Sequence, residues 1–213
     1  MKKKLYFELL FLFILGALTS LSLPPYNLLF VNFITFSLFF IYIFKKKKYF
    51  SKKKAFLFGW FFGFGYFVTN LYWISISLTF DVNFKFLIPI ALILIPAFLA
   101  IFYGVATYCF FFIDIKKTVS NLLLFSLIFG VIEFIRGNIL TGFPWNLISY
   151  TWSWSNELTQ ILSFIGTYSL SLISITFFCT PFLFFKKINL KINIIFLLFL
   201  LILFSTNYLY GLY

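Results

Sequence analysis

The chain has 213 residues, a formal net charge of +12, and 63% hydrophobic against 10% charged residues. A soluble domain of this length needs a polar shell, which five acidic residues, 17 basic residues and no histidine cannot supply. A mean hydropathy of +1.06 places the chain in the membrane class, where lipid solvates an apolar exterior.

Seven apolar runs follow one another, at roughly 5–23, 27–44, 55–79, 86–113, 119–136, 159–185 and 190–209, each near the ~20 residues that cross a hydrocarbon core as helix. The expected fold is all-α, a polytopic bundle of about seven transmembrane helices forming one domain over residues 1–213, with no internal repeat and no soluble domain. The first run has a lysine-rich flank but no small-residue cleavage site before Pro24-Pro25, so it reads as a retained helix rather than a leader.

The lysines lie in short clusters between runs, at Lys2–Lys4, Lys45–Lys48, Lys52–Lys54, Lys116–Lys117 and Lys186, Lys187 and Lys191. Placing the N-terminus in the cytoplasm puts 15 of the 17 basic residues inside and leaves Lys85 and Arg136 outside. That asymmetry predicts an N-terminus in the cytoplasm and a C-terminus on the far side. Clusters at span ends are topology signals that also meet anionic headgroups. A nucleic-acid surface would interleave them with aromatics on a soluble face, so no nucleic-acid partner is expected.

The connections differ in kind. Leu23-Pro24-Pro25-Tyr26-Asn27 reads as a tight outer turn, because consecutive prolines cannot continue a helix. Segment 45–54 is a polybasic inner loop. Segment 137–158 is aromatic and nearly uncharged, and is expected to fold as a structured outer-side loop, since backbone at membrane depth must be buried or line a cavity. Trp145, Trp152 and Trp154 read as interfacial anchors.

Few residues offer chemistry. Glu133 and Arg136, at i and i+3 near the outer end of the fifth run, share a helix face on which they can pair. Ionisable groups in a span are costly and usually face protein or water. One reading is an ion pair that fixes the start of the next loop; the other is an arginine that holds a lipid phosphate, oriented by the carboxylate. Beside them, Thr141-Gly142-Phe143-Pro144-Trp145 breaks regular structure and reads either as part of an aromatic belt or as the rim of a lipid-access cleft. In the third run, Gly59 and Gly63 form a small-residue face for close helix packing, and Asn70, Tyr72 and Trp73 are candidates to line a cavity. Cys109 and Cys179 lie inside apolar runs and read as small buried hydrophobes. No nucleophile, base and oxyanion site assemble from these residues, and no metal or cofactor is expected.

Four segments in order resemble the N-terminal membrane domain of the apolipoprotein N-acyltransferases. They are Leu21-Ser22-Leu23-Pro24-Pro25-Tyr26, Gly63-Phe64-Gly65-Tyr66 with Leu71-Tyr72-Trp73-Ile74, Glu133-Phe134-Ile135-Arg136-Gly137 with Thr141–Trp145, and Ile165-Gly166-Thr167-Tyr168-Ser169-Leu170. The resemblance implies a bacterial inner-membrane protein with seven spans, followed by a periplasmic nitrilase-like domain and a last span. It implies transfer of an acyl chain from phospholipid, through an enzyme cysteine, to the N-terminal diacylglyceryl-cysteine of a lipoprotein. The family's Glu-Lys-Cys triad belongs to the nitrilase-like domain, so none of the three maps onto this chain, and neither Cys109 nor Cys179 stands in for the nucleophile. The expectation is a membrane scaffold that gives lipid access and works with a catalytic domain in the same longer chain or a separate one, inactive as an acyltransferase alone. The rival expectations are a small transporter and a structural membrane anchor. Against the transporter, the chain breaks and polar residues gather on one side rather than at mid-membrane.

Overall fold

The computed structural model describes residues 2–115, 117–140, 142–185 and 190–212. The described residues hold helices and turns and no strand. Ten α-helices run in order: α1 (Lys2–Thr19), α2 (Phe30–Lys46), α3 (Lys52–Asn70), α4 (Ile74–Ser77), α5 (Ile88–Phe110), α6 (Thr118–Asn138), α7 (Asn156–Thr159), α8 (Leu162–Phe178), α9 (Phe182–Phe185) and α10 (Leu190–Gly211). Short 3-10 turns at Ser20–Ser22, Val82–Leu87 and Ile148–Trp152 join them. Among the described residues, five segments are long and apolar enough to cross a membrane, namely Lys4–Ser22, Val82–Phe110, Thr118–Asn138, Leu162–Phe185 and Leu190–Gly211. α2 has 17 residues, and α3 opens on three lysines and carries Gly, Trp, Tyr and Asn. Both bury much of their surface among the other helices, so neither needs a fully lipid-compatible exterior.

Two runs differ from a single straight helix. The apolar run 55–79 divides where α3 stops at Asn70, the chain turns through Leu71–Trp73, and the short α4 follows. No proline or glycine marks that break; it comes where Tyr72 and Trp73 leave the bundle and become exposed. The run 159–185 is divided among α7, α8 and α9, and α8 is itself kinked at Gly166, where φ 73° and ψ 167° lie in a region open essentially to glycine.

α3 lies at the centre, packed most extensively on α5 and α1. The Gly59–Gly63 face predicted from spacing meets α5: a methyl on Gly59 would press on the Tyr103 carbonyl and the Thr107 side chain, and one on Gly63 on Tyr103 and Ala100. Thr107 Oγ1 donates across this contact to the Ala55 carbonyl at 2.8 Å. The opposite side of α3 meets α1 through Gly65 and Gly16, each against the partner's backbone. In lipid the hydrophobic effect does not press helices together, so backbone contact of this kind is a main source of association. Around it the phenylalanines interlock; Phe39 and Phe62 stack with 3.9 Å between centroids, and Phe125 and Phe129 lie 4.5 Å apart.

The contacts define two ends. At one, Lys46 pairs with Glu8 at 2.7 Å, Lys47 donates to the Ile113 carbonyl, and Lys52 sits over the Phe112 ring. These join the start of α1, the end of α2, the start of α3 and the end of α5. Lys116, Lys186 and Lys187, which belong to the same predicted clusters, lie outside the described residues. The other end is aromatic and holds the segment 139–155. α10 attaches at both ends, Asn193 Nδ2 donating to Leu183 O at 2.7 Å and Asn207 Nδ2 to Leu158 O at 2.8 Å.

α6 shows the solvent for which the chain is built. Its buried face carries Asn121, Ser126, Glu133 and Arg136 beside Leu122, Phe125 and Phe129, whereas its exposed face presents Leu123, Leu127, Val131, Phe134 and Ile135. Polar groups point inward and apolar ones outward, the reverse of a helix on a water-soluble protein.

Candidate functional site

The site grows from the last turns of α6 at the aromatic end. Glu133 is 0% exposed and Arg136 1% exposed. Their i, i+3 spacing suggests a direct pair, yet no nitrogen of Arg136 comes within 4 Å of a Glu133 oxygen; among the described residues that distance is met by Lys46 and Glu8. Each instead takes other partners. Arg136 Nη1 donates to the carbonyls of Phe143 and Trp145, both at 2.9 Å. Its guanidinium lies 5.1 Å from the centre of the Phe67 ring on α3. Glu133 Oε1 accepts from the Tyr103 hydroxyl at 3.1 Å and from the Ile148 N–H at 3.4 Å.

The loop is built around these two side chains. Phe143 N–H donates back to the Arg136 carbonyl at 3.1 Å, and Gly142 N–H to the Ile139 carbonyl at 2.9 Å. Gly142 has φ 77°, and Leu140 and Asn146 also take positive φ, so the chain reverses tightly on either side of Phe143 and Trp145. Tyr66 on α3 donates to the Asn146 carbonyl at 3.0 Å. The loop then enters the bundle: Leu147, Ile148, Ser149, Thr151 and Trp152 are buried, with Ser149 N–H bonded to Ser171 Oγ at 3.1 Å and Trp152 Nε1 to Ser174 Oγ at 2.7 Å. Trp152 is therefore a packed residue, stacked 4.6 Å from Phe204, whereas Trp145 and Trp154 are exposed as membrane-surface anchors would be.

Of the residues singled out in the sequence, Arg136, Gly142, Phe143, Pro144 and Trp145 come together here with Glu133. Thr141 lies outside the described residues. Pro144 and Trp145 are exposed, and the Trp145 ring meets Trp73 at 5.6 Å. Tyr72 is exposed, while Asn70 ends α3 with a buried Nδ2 that has no partner. Further buried polar atoms without partners gather at this end: Glu133 Oε2, Arg136 Nε and Nη2, Asn146 Oδ1 and Ser149 Oγ. Tyr103 and Ser171, which complete the arrangement, carried no signal in sequence, since nothing sets Tyr103 apart from Tyr108 in its run or Ser171 from Ser169 and Ser174 in its own. Cys179 is buried and Cys109 partly exposed.

A helical bundle with polar groups turned inward, apolar groups turned outward and several membrane-length helices is a multi-pass membrane protein. The family model described as the apolipoprotein N-acyltransferase N-terminal domain matches residues 15–180, and the chain belongs to that family. Three relatives named apolipoprotein N-acyltransferase show the extent of the likeness. The protein from Rickettsia typhi is 36% identical over 184 residues, covering 86% of this chain and 36% of that protein. The one from Rhodopseudomonas palustris is 36% identical over 171 residues, 78% of this chain and 31% of the relative. The one from Brucella melitensis is 33% identical over 176 residues, 79% and 33% respectively. The chain thus spans about a third of the length of the curated relatives it matches.

Proposed function

We propose that this chain is the membrane domain, residues 1–213, of an apolipoprotein N-acyltransferase, and that it supplies scaffold and lipid access to a nitrilase-like catalytic domain in the same longer chain or a separate one. The reaction served is acyl transfer from phospholipid to the N-terminal diacylglyceryl-cysteine of a lipoprotein. Seven helices span the bacterial inner membrane: α1, α2, α3, α5, α6, α8 and α10. The lysine-bearing end faces the cytoplasm and the aromatic end the periplasm, because the positive-inside bias favours that orientation. The N-terminus is then cytoplasmic and the C-terminus periplasmic.

The grip of Arg136 on two loop carbonyls is the observation that carries the role of the site. A guanidinium this buried does not meet a headgroup itself. It holds the backbone so that Pro144 and Trp145, beside Trp73, form an exposed rim against the lipid surface. Glu133 acts likewise, anchoring the 3-10 turn at Ile148 and joining it to α5 through Tyr103. Gly142 and Phe143 shape the rim, and it is bordered by Asn70 at the end of α3 and by Tyr72 and Trp73 in the turn that follows. Phospholipid and lipoprotein are the partners that such a rim would admit.

The test is a graft. Residues 1–213 replace the matching N-terminal part of the Rickettsia typhi relative, and the chimera is supplied with phospholipid and a diacylated lipopeptide. Triacylated product is expected from the chimera and none from residues 1–213 alone. A chimera that is inserted at normal level yet makes no product, or turnover by the isolated chain, refutes the assignment.

A further inference from the structure

At the lysine-bearing end a cavity of about 1050 Å³ opens between the end of α2, the start of α6 and the start of α10. Its wall carries Lys45, Lys47, Lys48 and Lys117 against one carboxylate, Asp114. Lys45, Lys48 and Lys117 are exposed, while Lys47 is held half-buried by its bond to the Ile113 carbonyl and by the Phe110 ring, 4.1 Å from its Nζ. Burial pushes the Lys47 ammonium below its ordinary range, and Asp114 opposes that shift.

The first turn of α6 also lines this cavity through Thr118, Val119 and Ser120. Lys117 precedes the helix without a side-chain cap, and the first intrahelical bond is Asn121 N–H to Lys117 O, so the N–H groups of that turn have no intrahelical acceptor. Among the described residues these N–H groups find no acceptor, and such donors at the positive end of a 21-residue helix favour an anion. Asn121, 1% exposed, stands in the same wall; its Nδ2 donates to Ile115 O and Lys117 O, but its Oδ1 has no partner and is suited to a hydroxyl donor. Phe44, Ile115, Val119 and Ile192 complete the lining with apolar surface.

Topology alone requires lysines at this end but not their convergence from separate segments on one cavity with an uncapped helix start. We propose that this cavity binds the headgroup of an anionic phospholipid of the phosphoglycerol type from the adjacent leaflet: phosphate against the lysines and the start of α6, a glycerol hydroxyl to Asn121 Oδ1, the glyceride along the apolar wall. Basic pockets between membrane helices are suited to such headgroups. The site lies at the opposite end of the bundle from the Arg136 rim and does not depend on its function.

The test uses the whole chain in phosphatidylcholine nanodiscs, with phosphatidylglycerol added and retained lipid counted by native mass spectrometry. Thermal shift is read in parallel, with inorganic phosphate and glycerol 3-phosphate as soluble arms. Phosphatidylglycerol is expected to be retained and to raise the melting temperature. Lys48→Gln with Lys117→Gln should weaken retention about thirtyfold, each lysine near an anionic surface being worth about fivefold. Lys4→Gln with Lys53→Gln, equal in charge and outside the cavity, should leave retention unchanged. Equal loss in both double variants, equal retention of phosphatidylcholine, or a full shift from inorganic phosphate alone overturns the proposal.

Discussion

Arg136→Met tests the logic of the rim most directly. Methionine keeps an apolar stem of similar length and removes both bonds to Phe143 O and Trp145 O. A hydrogen bond from a charged donor contributes about 1.5–3 kcal/mol in soluble proteins, and side-chain bonds in membrane proteins reach about 1.7. With the guanidinium 1% exposed, the upper membrane figure applies to each bond, giving about 3 kcal/mol lost. Relief of a buried charge whose Nε and Nη2 have no partner offsets about 1 kcal/mol of that. The expected net destabilisation is about 2 kcal/mol, roughly thirtyfold in the unfolding equilibrium, read by denaturant titration in mixed micelles with circular dichroism. Hydrogen exchange supplies the local readout: amides of 139–147 should exchange faster, led by Phe143 N–H, while α1 and α3 stay protected. Unchanged exchange across that segment would show that Arg136 does not hold the loop, whatever happened to global stability.

Two further outcomes follow from backbone geometry. Gly59→Val should cost about 3 kcal/mol, the upper range for overpacking, because the obstacle includes the immobile Tyr103 carbonyl; unfolding in mixed micelles measures it, and a loss below about 1 kcal/mol would mean that α3 and α5 can part freely. Gly166→Ala should cost about 1–3 kcal/mol through backbone strain alone, since nothing lies within 4 Å of an added methyl. Gly166→Asn should not rescue it, because asparagine tolerates the left-handed helical region but not φ 73° with ψ 167°; recovery with asparagine would place the strain elsewhere.

Local features of the sequence carried part of this fold. Lysine clusters marked helix ends because a charge is costly in hydrocarbon, and α1, α6 and α10 lie where unbroken apolar runs placed them. The Gly59–Gly63 face was readable because spacing of four repeats on one side of a helix. What escaped were contacts between distant segments. Glu133 and Arg136 are neighbours by spacing, so a pair is the local inference; the folded chain brings carbonyls seven and nine residues onward to Arg136, and a tyrosine from α5 to Glu133. Trp152 looked like any surface tryptophan until Ser174 on α8 supplied an acceptor for its indole. The turn after Asn70 has no breaker residue, so only the departure of the chain from the bundle reveals it.

α10 is greasy on every side, and a helix of that kind gives its surroundings no reason to prefer one azimuth over another. Asn193 and Asn207, fourteen positions apart, choose for it. Fourteen residues make nearly four full turns, so both amides emerge on the same side, and each clasps a carbonyl at an opposite end of the bundle. This helix is thus oriented like a door hung on two hinges: cutting one amide should let it pivot about the other, and cutting both should leave the packing of Phe204 on Trp152 and Phe177 to set its azimuth.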